Sequence, residues 1–433
     1  MSFAINYLFG SEKGGFIMRR RNLFIVAALC VTLALSGCRS NKLGDSGDTG
    51  TQNGNTGTQN ESAGTQSGNT VDTEEDFGLE KLQISGEELQ DTAVTRGTAL
   101  MKYQSGYLYT LAIPQEKQTC DIAYNLVYLD PAQKTRIIMC NNPACKHTTA
   151  ACVAGMTSNQ QMNLCSDGKN LYYVKDVDEK VGLTTMNLYR VPLDTMEVEK
   201  LTTLFRTAGG ATFYSLEPIV YNGYYYSSQL LYDEKNGDQS VVLYRCALKK
   251  DAVPEKIWSD VCLPDQPLRT VTDIQAEGNY VYYVLYYDDH SKVVRLDVST
   301  GEVMEKDLET GMWSISIYDG SVYAVTQHEL HRYTPALEDL EKIADISQEG
   351  AVTNVIVESD YIMIYMGGEN GRVSLYSREG EKLGEYDQLG TTWILAGYDE
   401  ENVYFTTIMG QKIEQISMEG IKSGEAQLEE ITG

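Results

Sequence analysis

The chain of 433 residues holds only four histidines and three tryptophans. So few imidazoles leave little material for histidine-based acid–base chemistry or a multi-histidine metal centre. His328 and His331 are three apart in a strand setting, where they point to opposite faces and form no joint site. No Gly-x-Ser-x-Gly elbow, His-Glu-x-x-His motif or Walker loop is present. The sequence marks of serine hydrolases, zinc proteases and P-loop enzymes are therefore missing. The acidic hairpin with Asp233, Asn236 and Asp238 lacks the alternating ligands of a calcium loop and reads as a plain turn. Basic residues are scarce too: 35 Lys and Arg stand against 61 Asp and Glu, a net charge of −26. No basic patch stands out, so nucleic acid is not an expected partner. Long apolar runs are lacking as well; residues 23–35 fall short of the roughly 20 needed to span a bilayer.

What the chain does have is a recurring local pattern. Seven times, a turn pair is followed at once by a tyrosine-rich apolar run. The pairs are Ser105-Gly106, Asp167-Gly168, Asn222-Gly223, Glu277-Gly278, Asp319-Gly320, Ser359-Asp360 and Asp399-Glu400. In the C-terminal half the spacing settles near 40 residues, the period of a four-stranded propeller blade. The runs, such as Leu171-Tyr172-Tyr173-Val174 and Val281-Tyr282-Tyr283-Val284, are apolar at every position. Successive strand residues face opposite sides, so both sides of these strands must be covered. A ring of blades does this, because each blade presses on two neighbours. Most of the 30 tyrosines are accordingly expected in inter-blade packing.

A further strand follows each run, often Leu-Tyr-Arg with a later Asp, as in Leu188-Tyr189-Arg190 with Asp194 or Leu243-Tyr244-Arg245. A short strand such as Glu255-Lys256-Ile257-Trp258, and the strand leading into the next turn pair, complete four per unit. Pro218 lies in one such leading strand, consistent with an edge position. This unit resembles the repeat of TolB-like and YWTD-like propellers over residues 97–430. The expected fold is all-β: a propeller of seven four-stranded blades across residues 78–433. Eight blades are the alternative if residues 78–96 complete another, and residues 76–96 could supply a strand that closes the ring.

Upstream, Met18 reads as the true start, followed by the basic Arg19-Arg20-Arg21 and the apolar residues 23–35. Leu35-Ser36-Gly37-Cys38 resembles a bacterial lipobox, which implies cleavage and lipidation at Cys38. Residues 1–37 are thus leader and signal peptide. Their loss removes Lys13, Arg19, Arg20 and Arg21 but only Glu12 among acids, so the mature chain is more acidic still. Residues 38–77 carry Cys38 and a Gly-, Thr-, Asn- and Gln-rich stretch with almost nothing to bury. It is expected to be a disordered tether with a mean reach of about 30–35 Å. The resemblance places the protein on the outer face of the membrane of a Gram-positive cell, held by acyl chains (palmitate among them).

Four cysteines crowd into one segment: Cys140, Cys145, Cys152 and Cys165. Cys140 to Cys152, with Pro143 and His147, resembles a Cys-Pro-Cys-His-Cys loop of uncharacterised secreted lipoproteins of Gram-positive anaerobes. Its spacing departs from that of a zinc knuckle. An exported loop with close cysteines favours a disulfide, while three thiolates and an imidazole could hold Zn²⁺, and free thiols remain open. Zinc there is the sole cofactor considered. Cys120, Cys246 and Cys262 read as small buried residues. Trp313 and Trp393, in leading strands near the channel, are binding candidates, and no catalytic residue is assigned. The expected role is non-catalytic: a monomeric recognition or scaffold module for a protein or envelope glycan. The alternative is a polysaccharide-acting enzyme, a lyase or glycosidase, with its site at the channel.

Overall fold

The computed structural model describes residues 95–96, 100–113, 123–140, 142–145, 147, 154–157, 164–180, 183–208, 218–232, 239–262, 268–287, 290–308, 314–325, 329–346, 351–368, 370–390, 394–407 and 412–431. Their strands form seven antiparallel sheets, the blades of a β-propeller. Each blade is one contiguous stretch of chain, its four strands running in order from the channel outward. Blade one comprises Leu100–Tyr103, Gly106–Ile113, Ala123–Asp130 and Thr135–Ile138. Blade two comprises Cys165–Ser166, Asn170–Lys180, Leu183–Pro192 and Glu199–Ala208. Blade three comprises Ile219–Tyr221, Tyr224–Tyr232, Gln239–Ala247 and Glu255–Cys262. Blade four comprises Leu268–Glu277, Tyr280–Tyr287, Ser291–Asp297 and Val303–Leu308. Blades five and six run from Ser314–Tyr318 to Asp339–Asp345 and from Ala351–Val357 to Lys382–Tyr386. Blade seven comprises Ile394–Tyr398, Asn402–Thr406, Ile413–Ser417 and Glu429–Glu430. Among the described residues there is no helix long and apolar enough to cross a membrane.

Among the described residues there is no single core: the buried apolar side chains fall into seven clusters, one at each seam between neighbouring blades. The tyrosine-rich runs are the second strands, and period-two geometry splits each between two seams. In blade four, Val281, Tyr283 and Leu285 face blade three, while Tyr282 and Val284 face blade five. In blade six, Ile362, Ile364 and Met366 face blade five, and Met363 and Tyr365 face blade seven. This is why the runs carry no polar alternation. Trp258 joins the seam between blades three and four, its ring centroid 5.3 Å from that of Tyr283.

Two of the turns before these strands are built around an aspartate. Asp167 accepts the N–H groups of Lys169 and Asn170 at 2.9 and 2.7 Å and the hydroxyl of Tyr172 at 2.7 Å. Asp399 does the same with Glu401, Asn402 and Tyr404, at 2.9, 2.9 and 2.7 Å. The shared pattern, Asp-x-x-Asn-x-Tyr, gives the tyrosine tip a partner where its ring enters the core. The arginine of the Leu-Tyr-Arg strand has a role of its own. Arg190 and Arg245 reach Glu199 and Glu255, their cross-strand partners, at 2.6 and 2.7 Å, and Arg332 reaches Glu341.

The innermost strands face the channel, so side chains of the preceding blade meet their backbone groups. The Gln275 amide donates to the Ile315 carbonyl and accepts the Ile317 N–H at 2.8 Å, standing in for a strand. Ser314 and Ser316 accept the N–H groups of Val355 and Val357 at 2.9 and 3.2 Å.

Ring closure differs from the sequence expectation. Thr95–Arg96 does form a strand, but it pairs antiparallel with Ile219–Tyr221 on the channel edge of blade three. Blades seven and one instead close the ring face to face, with Tyr107, Tyr109 and Leu129 packed on Ala396, Tyr404 and Ile413. No strand is shared, and no eighth sheet occurs among the described residues. A shared strand is dispensable because this seam carries its own apolar cluster and a hydrogen-bonded tyrosine pair, Tyr107 and Tyr404.

Candidate functional site

The two faces of the ring are built differently. Antiparallel order sends the first-to-second and third-to-fourth connections to one face. Most of these are short turns, such as those capped by Asp167 and Asp399, and the longest, residues 418–428, holds the helix Met418–Ser423. The second-to-third connections and the blade-to-blade connections leave from the opposite face. There the blade-to-blade links are residues 139–164, 209–218, 263–267, 309–313, 346–350 and 387–393. Most residues of this loop face lie outside those described.

Trp313 and Trp393 directly precede the described strands Ser314–Tyr318 and Ile394–Tyr398. Both tryptophans lie outside the described residues, as do Cys38, Cys120, Cys152 and His328. Of the inner-strand acids, Asp273 accepts from Ser314 Oγ at 2.9 Å and Glu277 accepts the Gly320 N–H at 3.0 Å. Glu358 accepts the Tyr398 hydroxyl at 2.9 Å. All three join neighbouring blades.

Residues 139–157 make the most distinctive local structure. The chain leaves the outer edge of blade one after Ile138 and returns as Gly155–Thr157, which pairs with the start of Ala123–Asp130. Both ends of this excursion are fastened to one residue. The Met139 N–H donates to the Leu126 carbonyl at 3.0 Å, and the Leu126 N–H donates to that of Ala154 at 2.9 Å. Inside the neck sit Cys140, Cys145 and His147, all half-buried, with ligand atoms within 4.8 Å of one another. Cys140 and Cys145 pack on the cluster between blades one and two. A turn holds them: the Cys145 N–H donates to the Asn142 carbonyl at 3.0 Å, and the Ala144 N–H to Asn142 Oδ1 at 3.0 Å. His147 takes the left-handed conformation, φ 55°. Its N–H points at Cys145 Sγ, 3.4 Å away, and its carbonyl accepts from the buried Asn125 amide at 3.2 Å.

No disulfide joins any two of the described cysteines. Cys165, the fourth of the crowded set, is placed apart from the trio. It lies on the inner strand of blade two, in the seam with blade three, where its thiol donates to the Pro218 carbonyl at 3.2 Å. Burial pushes its pKa well up, and that of Cys246 to about 12, so both stay protonated. His290 stacks on Tyr287 with ring centroids 4.4 Å apart, and His331 lies 2.8 Å from Glu329.

No family model matches the sequence, and no curated protein matches it. Solved structures do resemble the fold. The computationally designed Ika8 protein aligns with 75% of this chain and 98% of its own, at 10% identity and a TM-score of 0.41. An acylaminoacyl peptidase in complex with a chloromethyl ketone aligns with 78% of this chain and 52% of its own, at 11% identity and a TM-score of 0.46. Apo AztD from Citrobacter koseri aligns with 69% of this chain and 96% of its own, at 8% identity and a TM-score of 0.35. At these values the fold assignment rests on the seven sheets themselves.

Proposed function

We propose that the protein is a lipid-anchored recognition module, held on the outer face of the membrane through Cys38. It takes a protein or envelope-glycan ligand at the loop face of the propeller. One observation carries this reading: the unequal faces. Short turns predominate on one, where the longest connection is residues 418–428, while the other bears links as long as residues 139–164. Binding residues concentrate on such connections when a rigid scaffold positions them. The inner-strand acids that would serve a carbohydrate-acting enzyme are engaged in joining blades, which favours recognition over turnover.

Two measurements test it. Cys38→Ala should release the protein into the medium or leave it uncleaved; a normally sized product still held in the membrane would refute the anchor. The immobilised full chain should then retain either purified cell-wall glycan or a solubilised envelope protein. Trp313→Ala or Trp393→Ala should weaken that retention, and Lys169→Ala on the turn face should leave it unchanged. Loss only with turn-face substitutions would place recognition on the wrong face. Release of shortened polysaccharide would make the protein an enzyme.

A further inference from the structure

We infer that Cys140, Cys145 and His147 form a zinc site that orders the excursion between blades one and two. Tetrahedral zinc takes sulfur at roughly 2.3 Å and imidazole nitrogen at roughly 2.0–2.1 Å, which puts ligand atoms about 3.5–4 Å apart. Here the three ligand atoms already lie within 4.8 Å of one another, so a contraction of about 1 Å closes them on an ion.

The surroundings have the features of a built site. Met139 and Ala154 are both hydrogen-bonded to Leu126, so the described ends of the excursion meet on a rigid strand. Within the excursion the turn at Asn142 sets Cys140 and Cys145 side by side. The backbone at His147 is left-handed, a conformation histidine takes more readily than most side chains, and its imidazole lies beside both sulfurs. An N–H aimed at Cys145 Sγ offsets part of the charge that a metal-bound thiolate carries. Asn125, rooted in the third strand of blade one, fixes the His147 carbonyl and acts as a positioning residue. A disulfide would use two sulfurs and give no role to the placement of His147. The soft donor set selects zinc over magnesium or calcium. Binding exchanges the two thiol protons for the ion, with no change of oxidation state.

The test uses the untagged full chain, reduced anaerobically and then exposed to zinc or cobalt(II). One metal per chain is expected, with cobalt giving the visible bands of a tetrahedral thiolate site. Cys140→Ser and Cys145→Ser should each abolish binding, His147→Ala should weaken it more than tenfold, and Asn125→Ala about tenfold. Zinc should also shield the thiols from alkylation. Circular dichroism of each variant checks that the propeller has folded, and wild-type stoichiometry decides the matter even if a variant has not. Three outcomes overturn the inference. One is absence of metal from fully reduced protein. Another is a disulfide at Cys140 or Cys145 in protein purified without reductant, with no zinc bound after reduction. The third is zinc binding that survives Cys145→Ser and His147→Ala.

Discussion

The Tyr107 hydroxyl lies 2.7 Å from that of Tyr404, and Asp399 decides which of the two donates. Tyr404 gives its single proton to Asp399 Oδ2 at 2.7 Å, so it must accept from Tyr107. A relay of three residues, Tyr107 to Tyr404 to Asp399, thus crosses the seam where the ring closes. Lys102 adds an ion pair to the same carboxylate at 3.1 Å, but its side chain is 55% exposed.

The members of this relay should differ in weight. Tyr404→Phe removes a donor and an acceptor at once and should cost about 1–3 kcal/mol, read as a lower urea midpoint. Tyr107→Phe removes only the end donor and should cost about 1 kcal/mol. Lys102→Ala should cost less than about 1 kcal/mol, because a solvated ammonium gains little from its partner. Were Lys102→Ala the most damaging of the three, the seam would be held by charge and this account would fail.

Acid should weaken the turns first. Burial disfavours the charged forms of Asp167 and Asp399, but the Tyr hydroxyls and backbone N–H groups outweigh it, and both pKa values end below normal. The unfolded chain therefore takes up these protons first. The stabilisation is complete above an ordinary carboxylate pKa of about 3.9 and is lost as pH falls through the lower folded values. Melting temperature should drop below about pH 4, and Asp167→Asn with Asp399→Asn should flatten that drop. An unchanged slope would show that other carboxylates govern it.

Arg245 should tolerate no replacement by lysine. Its buried guanidinium lies over the Tyr224 ring at 4.6 Å while its Nε holds Glu255 at 2.7 Å. An ammonium cannot both stack flat and donate sideways. Arg245→Lys should cost about 1–3 kcal/mol, against less than about 1 kcal/mol for the more exposed Lys292→Ala. Equal effects in chemical denaturation would refute the distinction.

Gly384 admits no side chain. A Cβ there would stand 2.1 Å from the Ile421 carbonyl oxygen, in the helix Met418–Ser423 that packs on the outer strand of blade six. Gly384→Ala must push that helix outward and should cost about 1–3 kcal/mol. A neutral result by calorimetry would mean the helix is loosely held.

The blades were legible in the sequence because their signals are local. Each turn pair and its tyrosine run lie within a few residues, and the structure places the turns within about one residue of the reading, as at Gln104 and Ser105. The Leu-Tyr-Arg strand was visible too, though its partner glutamates were not, since cross-strand pairing depends on register. What escaped is long-range. Nothing around Gln275 marks it as a substitute strand, and nothing in Thr95-Arg96 points to blade three. Spacing alone could not separate Cys165 from its neighbours either. Its place follows from the inner strand of blade two, where its thiol faces a seam while Cys140 and Cys145 remain in the excursion.

The face-to-face closure makes the order of blades along the chain a matter of convention. Every blade is complete in itself, and the first and last are neighbours. A circular permutant that joins residue 431 to residue 100 and opens within 263–267 would keep all seven blades whole. Besides the segment before residue 95, it would give up only the two-residue pairing of Thr95–Arg96 with Ile219–Tyr221 among the described strands. A ring closed by a borrowed strand would instead lose part of a sheet on the same rearrangement.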